Sequence, residues 1–459
     1  MDLRTSPSIN LDLVRKYNRP GPRYTSYPPA TKFREDVDRE ALRASLRMGE
    51  GPLSLYVHLP FCESLCWFCG CNTIITRNRD QAGEYLALVE QEIERVAAEN
   101  QPSRPVVQLH FGGGTPNFLT PEQIQHLGAV LRQHFRFAPD LEASVELDPR
   151  TLRPDHVEAF AAIGFNRASF GVQDIHADVQ QAIHRRQDPS LNRAAMQQLR
   201  THGFQSVNID LIYGLPHQTP QSFTETLAAV TALKPDRLAV FSYAHVPWIK
   251  PAQKLLERAG LPDAETKLEL LRTIYGHLTA CGYVPVGMDH FARADDELVR
   301  AQQAGTLQRN FQGYSTRGGA DICAFGISAI SQTAGTYWQN CKNLTDYRLQ
   351  IESGQLPIER GLVLTEDDSL RRWVITTLMC QLELDPKAVE ERFHVDFFTY
   401  FSNELDRLKS LEADGLLCWQ HGRLRVRPAG RLLIRNIAMA FDAYLPNEAT
   451  TAPRYSRTI

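Results

Sequence analysis

Four of the nine cysteines in this 459-residue chain fall within ten residues: Cys62, Cys66, Cys69 and Cys71, in the stretch YVHLPFCESLCWFCGC that runs from Tyr56 to Cys71. Thiolates ligate soft metals and iron–sulfur clusters. Cys62, Cys66 and Cys69 follow a C-x-x-x-C-x-x-C spacing. A four-cysteine cluster fills every iron, whereas a compact triplet leaves one iron open to bind a substrate or cofactor. Cys71 is a close fourth candidate, and spacing alone leaves its role open. A structural zinc site needs four ligands, usually from two C-x-x-C pairs far apart in sequence, and no second pair exists here. Cys281, Cys323, Cys341, Cys380 and Cys418 are scattered singly and read as small buried hydrophobes in a reducing compartment, not as a disulfide framework.

Other polar residues stand where chemistry is possible. The segment Phe111–Pro116, FGGGTP, ends a strand pattern with three consecutive glycines, so backbone groups can approach a ligand without side-chain obstruction. It lacks the Gly-Lys-Ser or Gly-Lys-Thr of a phosphate cradle. Glu146 falls at a strand end, placed to accept from hydroxyls; a structural salt bridge is the plainer alternative. Tyr56 and His58 are two apart on a strand and share a face, opposite Leu55, Val57 and Leu59. Contact with a cofactor is one reason for that polar face, and a satisfied core histidine is the other.

The elements that must position these residues read as alternating strands and helices. Strands are expected at 53–59, 106–111, 143–147, 167–172, 206–212 and 237–243. Between them lie helix-length segments: Leu86, Val89, Ile93 and Val96 recur at helical spacing, and others span roughly 121–136, 152–163, 190–202 and 220–233. Six such units predict an α/β fold, a partial (β/α)6 TIM-like barrel with its functional loops after the strand C-termini. The cysteine loop directly follows the first strand. Residues 1–50, rich in proline and containing Arg23, Tyr24 and Tyr27, read as an ordered arm docked on the surface. Residues 51–365 form the barrel and its extension, including a helix at 264–280. Residues 366–459 form a small, mostly helical, winged-helix-like domain: helices at 369–382, 387–393 and 398–413, then a hairpin turning at His421-Gly422.

The winged-helix pattern raises nucleic-acid binding, since Arg423, Arg425 and Arg427 alternate along one strand face. The chain's formal net charge of −3 supplies no basic footprint, so a solvated face is the better reading. The N-terminus has no apolar core of signal-peptide length, and no apolar run is long enough to span a bilayer. A cytoplasmic protein is expected.

Taken together, the triplet after strand one and the glycine loop after strand two resemble the radical S-adenosylmethionine superfamily. There, three thiolates hold a 4Fe–4S cluster whose open iron binds S-adenosylmethionine, and one electron yields a 5′-deoxyadenosyl radical. Further segments, PRYTSYP (22–28), HLPFCESLCWFCGC (58–71), FGGGTP (111–116), ELDPR (146–150), FGVQD (170–174), DLIYGLP (210–216), FQGY (311–314) and RYSRTI (454–459), resemble the oxygen-independent coproporphyrinogen III oxidase family over essentially the whole chain. That resemblance implies oxidative decarboxylation of two propionates of coproporphyrinogen III to vinyl groups in heme biosynthesis, with an electron donor and acceptor that the sequence does not identify. It implies a metal set of Cys62, Cys66 and Cys69 and a catalytic set of Tyr56, His58, Cys71 and Gln312. Tyr56, Gly112, Glu146 and Ile330 map to one S-adenosylmethionine. Phe68, Gly113, Thr115 or its neighbour Gly114, Gln173, Arg185, Asp210 and Ala244 map to a second. Arg23 is a candidate partner for a substrate carboxylate, and a monomer is the default. The related heme chaperone, which transfers heme, is the alternative; it resembles a shorter chain without the PRYTSYP arm or the cysteine equivalent to Cys71.

Overall fold

The structure, a computed structural model, describes residues 11–445 and 455–458; the first ten residues of the arm, residues 446–453 and the two ends of the RYSRTI segment lie outside these. Its centre is a twelve-stranded sheet. Six strands match the expected ones: β1 (Leu53–Leu59), β2 (Val106–Gly113), β3 (Phe137–Leu147), β4 (Arg167–Gln173), β5 (Ser206–Tyr213) and β6 (Arg237–Ser242). They lie side by side in chain order, each parallel to the next. Helices Asp80–Glu99, Pro121–His134, Pro154–Ala162, Pro189–Thr201 and Pro220–Thr231 make the crossovers that parallel pairing requires. In the first of these helices Leu86, Val89, Ile93 and Val96 are all buried against the sheet. This is a partial (β/α)6 barrel.

β5 shows why the two faces differ. Val207, Ile209, Leu211 and Tyr213 are buried towards the helical layer, while Asn208 and Asp210, offset by one residue, line cavities in the barrel lumen. Four of the six strands also run longer than the sequence pattern suggests, while β1 matches it and β6 ends one residue sooner. β3 begins at Phe137, and β2 continues through two glycines to Gly113, because a ladder against a neighbour overrides low strand propensity.

Beyond β1 the sheet continues with Asp321–Phe325, parallel to β1, then antiparallel Ile330–Gln332, Thr336–Asn340 and Ile358–Val363. Beyond β6 it adds His290–Arg293 and Tyr283–Val286, both antiparallel. A separate hairpin, Gln308–Asn310 with Gly313–Ser315, carries Gln312 and Tyr314 into the barrel lumen.

The C-terminal part has helices Glu366–Gln381, Pro386–Phe393, Phe397–Tyr400 and Ser402–Ala413, and the expected 398–413 helix is broken at Phe401. The hairpin turns at His421 (φ 52°) and Gly422 (φ 75°), the two positive dihedrals a two-residue primed turn demands. Glu383–Leu384 adds a third strand, and Arg423 there is ion-paired to Glu383 and Asp385 at 2.8 Å each. Arm residues Val14, Tyr17, Tyr24 and Tyr27 share one hydrophobic core with this part. Tyr24 donates to Asp442 (2.8 Å) and Arg435 to the Pro22 carbonyl (2.9 Å). Cys323, Cys341 and Cys380 are buried as expected; Cys281 is exposed and Cys418 half-buried, which corrects the expectation for those two. Among the described residues no helix is long and apolar enough to cross a membrane.

Candidate active site

One cavity at the C-terminal ends of β2–β5 collects Cys62, Cys66, Cys69, Cys71, Phe68, Gly113, Gly114, Thr115, Glu146, Gln173, Arg185 and Asp210. The loop that carries the cysteines is pinned on three sides. Phe61–Cys62 pairs with Ile74–Ile75; the Trp67 N–H donates to Ile183 O at 3.0 Å, and its ring stacks on His184 with centroids 5.1 Å apart. Gln253, 1% exposed, donates to Phe68 O (3.0 Å) and Ala244 O (3.2 Å) while accepting from the Val246 N–H (2.6 Å). Such fixation lets a short irregular loop hold ligands in place.

The thiols sit in contrasting surroundings. Burial pushes Cys62 up to about 11, against the help of the Thr115 hydroxyl 3.4 Å away. The neighbouring Cys71, through its side chain and its N–H, brings Cys69 down to about 6 against the opposing effect of burial. Cys71 itself is raised by its neighbour Cys69, and its N–H points at Cys69 Sγ, 3.4 Å away. Arg150 and Arg185 point guanidinium N–H groups at Cys66 Sγ, at 3.7 and 3.6 Å. Among the described residues no three His, Cys, Asp or Glu side chains converge as a single metal ion requires. A 4Fe–4S cluster makes no such demand, because each thiolate binds a different iron. Buried Gln173 Oε1 and Arg185 Nε lack hydrogen-bond partners beside this cavity, which fits a polar ligand next to the thiols.

The glycines form the opposite wall. A Cβ on Gly112 would come within 2.9 Å of Glu146, one on Gly113 within 2.6 Å of the His58 ring, and one on Gly114 within 2.5 Å of the Pro60 carbonyl group. Glu146 accepts from the Gly113 N–H (3.1 Å) and contacts His110 Nε2 (3.2 Å). Against the penalty of burial, His110 and Gly113 hold its carboxyl below the usual value, while 45% of the side chain is accessible from the cavity. Burial, and then the Glu146 charge, pushes Asp210 up to about 6. Two acceptors of opposite tendency therefore face one space.

Tyr56 and His58 do share a face of β1: the Tyr56 hydroxyl and His58 Nδ1 are 3.1 Å apart. Tyr56 also stacks on His110, centroids 5.6 Å apart and planes 12° from parallel. His58 Nε2 bonds Asn72 O at 2.9 Å, and burial lowers its basicity. Four sequence candidates stand elsewhere. Ala244 is reached through Gln253, and Ile330 begins a strand beside Ala329, which packs near Tyr56. Gln312 lines a second cavity in the lumen. Arg23 donates to Ser242 O (2.9 Å) and lines a third cavity with Asp289 and Arg435.

His110, Asp148 and Arg150 were not singled out by sequence. His110 is two residues from Gly112 and so shares its face of β2, and Asp148 and Arg150 lie inside ELDPR; alternation from the neighbouring residues was the available signal. Asp148 pairs with Arg150 (2.6 Å) and Arg185 (3.3 Å). Against burial, those two hold its carboxyl at about 2, below the ordinary 3.8. A depressed carboxyl stabilises the fold above about pH 4, and that contribution is lost as pH falls towards 2. Asp148→Asn is therefore expected to cost about 2 kcal/mol at pH 7 and clearly less at pH 3, read from urea midpoints at both values.

A barrel with three thiols on the loop after β1, facing a glycine wall and a strand-end carboxylate, defines a radical S-adenosylmethionine enzyme. The Radical SAM superfamily pattern matches residues 56–230 and the HemN C-terminal domain pattern residues 364–433. The oxygen-independent coproporphyrinogen III oxidases of Salmonella typhimurium and Synechocystis are 49% and 46% identical, over 98% and 97% of both chains. The solved structure of the Escherichia coli enzyme, described as a radical SAM enzyme, superposes with a TM-score of 0.92 at 46% identity, covering 96% of this chain and all of that one. The chain belongs to the oxygen-independent coproporphyrinogen III oxidase family. Matches that include the arm favour the oxidase over the heme chaperone.

Proposed function

We propose that this cavity decarboxylates two propionate side chains of coproporphyrinogen III to vinyl groups, giving protoporphyrinogen IX without oxygen. The observation that carries the reading is the convergence of the cysteine triplet, the glycine wall and Glu146 on one space. A 4Fe–4S cluster held by Cys62, Cys66 and Cys69, with S-adenosylmethionine beside it, would supply one-electron reduction and radical chemistry at the propionate.

The protein's part is placement. Cys62, Cys66 and Cys69 hold the cluster, with Arg150 and Arg185 offsetting the charge of Cys66. Gly112, Gly113 and Gly114 let a ligand lie against the backbone, and Glu146 and Asp210 accept from ligand hydroxyl or amino groups. Tyr56, stacked on His110, closes the lumen side. Phe68, Thr115, Gln173 and Arg185 share the cavity with the cluster loop and suit a second S-adenosylmethionine. The arm (1–50), barrel (51–365) and C-terminal region (366–459) act as one unit through their shared core. With the cysteines unpaired among the described residues and a near-neutral charge, we place the protein in the cytoplasm as a monomer that exchanges electrons with a separate donor and acceptor and engages neither nucleic acid nor membrane.

Anaerobic incubation with coproporphyrinogen III, S-adenosylmethionine and a low-potential reductant is expected to give the divinyl product and release carbon dioxide. Tight heme binding without vinyl product would overturn the reading. Cys71→Ser is expected to keep the cluster, because Cys71 bonds the Cys69 ligand instead of standing in the triplet, while turnover falls by about 100-fold or more, the scale of losing a proton-donating group at a reacting centre. Loss of iron from this variant would make Cys71 a ligand.

A further inference from the structure

Below the cysteine pocket the barrel lumen holds a second cavity of about 130 Å³, roughly ten times what one water needs. Two buried polar atoms among its lining residues have no hydrogen-bond partner: Gln312 Nε2 and Asn208 Oδ1. Their other halves are engaged. Asn208 Nδ2 donates to Asp210 (2.7 Å) and Ser169 (2.9 Å), and Gln312 Oε1 accepts from the Ser54 hydroxyl at 3.5 Å. What the pair presents is one acceptor and one donor, each costly to bury unless a ligand meets it. Arg167 and Arg237 also line the cavity, but Glu297 and Asp296 engage them, and Gln312 Nε2 stands there as a buried donor without a partner, available to an incoming anion.

A porphyrinogen unit has the complementary inventory. Its pyrrole N–H can only donate, and the carboxylate of its side chain can only accept. Ser169 lines both this cavity and the cysteine pocket, so a group held here lies against the cofactor site. We infer that the cavity takes one carboxyethyl-bearing pyrrole of the substrate, its N–H on Asn208 Oδ1 and its carboxylate on Gln312 Nε2, and so selects the arm to be oxidised. The inference rests on the proposed reaction.

The test uses the full, cluster-loaded chain under anaerobic conditions and reads the KM for coproporphyrinogen III alongside the cluster absorbance. Gln312→Glu is isosteric but sets a carboxylate against a carboxylate, whereas Gln312→Leu only removes the donor. Gln312→Glu is expected to raise KM by more than about tenfold and by more than Gln312→Leu does, with the cluster intact. Asn208→Leu is expected to raise KM by about tenfold, and Asn208→Asp, which keeps an acceptor, by less. Parental KM in both Gln312→Glu and Asn208→Leu, or greater damage from Gln312→Leu than from Gln312→Glu, overturns the subsite; packing alone, or a resident water, gives that pattern. If the unmodified chain makes no vinyl product, the reaction assignment falls and the subsite with it. A failure confined to the variants' pattern leaves the reaction standing.

Discussion

Serine at Cys62, Cys66 or Cys69 is expected to abolish the iron–sulfur chromophore and all turnover of the anaerobically reconstituted protein. The substitution changes almost nothing sterically, so the expected loss reports ligand chemistry. A serine hydroxyl is a hard oxygen that does not ionise near neutral pH, while iron–sulfur clusters are held by soft thiolates. The three positions are not equivalent in the fold, which sharpens the expectation. Cys62 stands beside Thr115, Cys66 between Arg150 and Arg185, and Cys69 against Cys71. A triplet has no spare ligand, so each single replacement leaves the cluster two-handed. The measurement is iron and sulfide content with visible absorbance for each variant. Full iron retention in any one of them would remove that residue from the set, and Cys71 would then be its replacement.

Much of this site was legible in the sequence because its chemistry sits on period-two strands and on compact motifs. Tyr56 and His58 were placed on one face by alternation alone, and the structure brings their polar atoms to 3.1 Å. The glycine run announced close backbone approach, and each of the three glycines does face an obstruction. What stayed hidden depends on distance in sequence. Nothing near Gln253 reveals that its amide ties Phe68 to Ala244, because the bonds span a loop whose path only the fold decides. The hairpin at 308–315 has too few residues for a period to show, so the placement of Gln312 in a separate lumen cavity could not be read. The arm was read as a surface strap. Its tyrosines instead complete the core of the C-terminal region, a tertiary contact between the two ends of the chain to which local pattern is blind.

Gly113→Ala tests the glycine wall most severely, and Gly83→Ala supplies its control. Gly113 ends β2 with φ 109°, a conformation that strains any L side chain, and a Cβ there would meet the His58 ring at 2.6 Å. His58 cannot yield cheaply, since one ring nitrogen faces the Tyr56 hydroxyl and the other bonds Asn72 O. The backbone must move instead, and with it the Gly113 N–H that Glu146 accepts. Gly83 lies in the Asp80–Glu99 helix, where an added Cβ meets only the Gln123 amide nitrogen at an ordinary 3.6 Å. Alanine there is expected to stabilise by about 0.5–1 kcal/mol. At Gly113 the same methyl is expected to cost about 1–3 kcal/mol of stability and about 100-fold or more in turnover, the scale on which small misplacements at a reacting centre act. Cluster content should stay near the parent's, because the cysteine loop is anchored independently through Ile183, His184 and Gln253. Thermal unfolding, iron content and product formation on the two variants separate these effects. Parental turnover in Gly113→Ala would mean that no ligand lies against that backbone, and the wall would lose its place in the site.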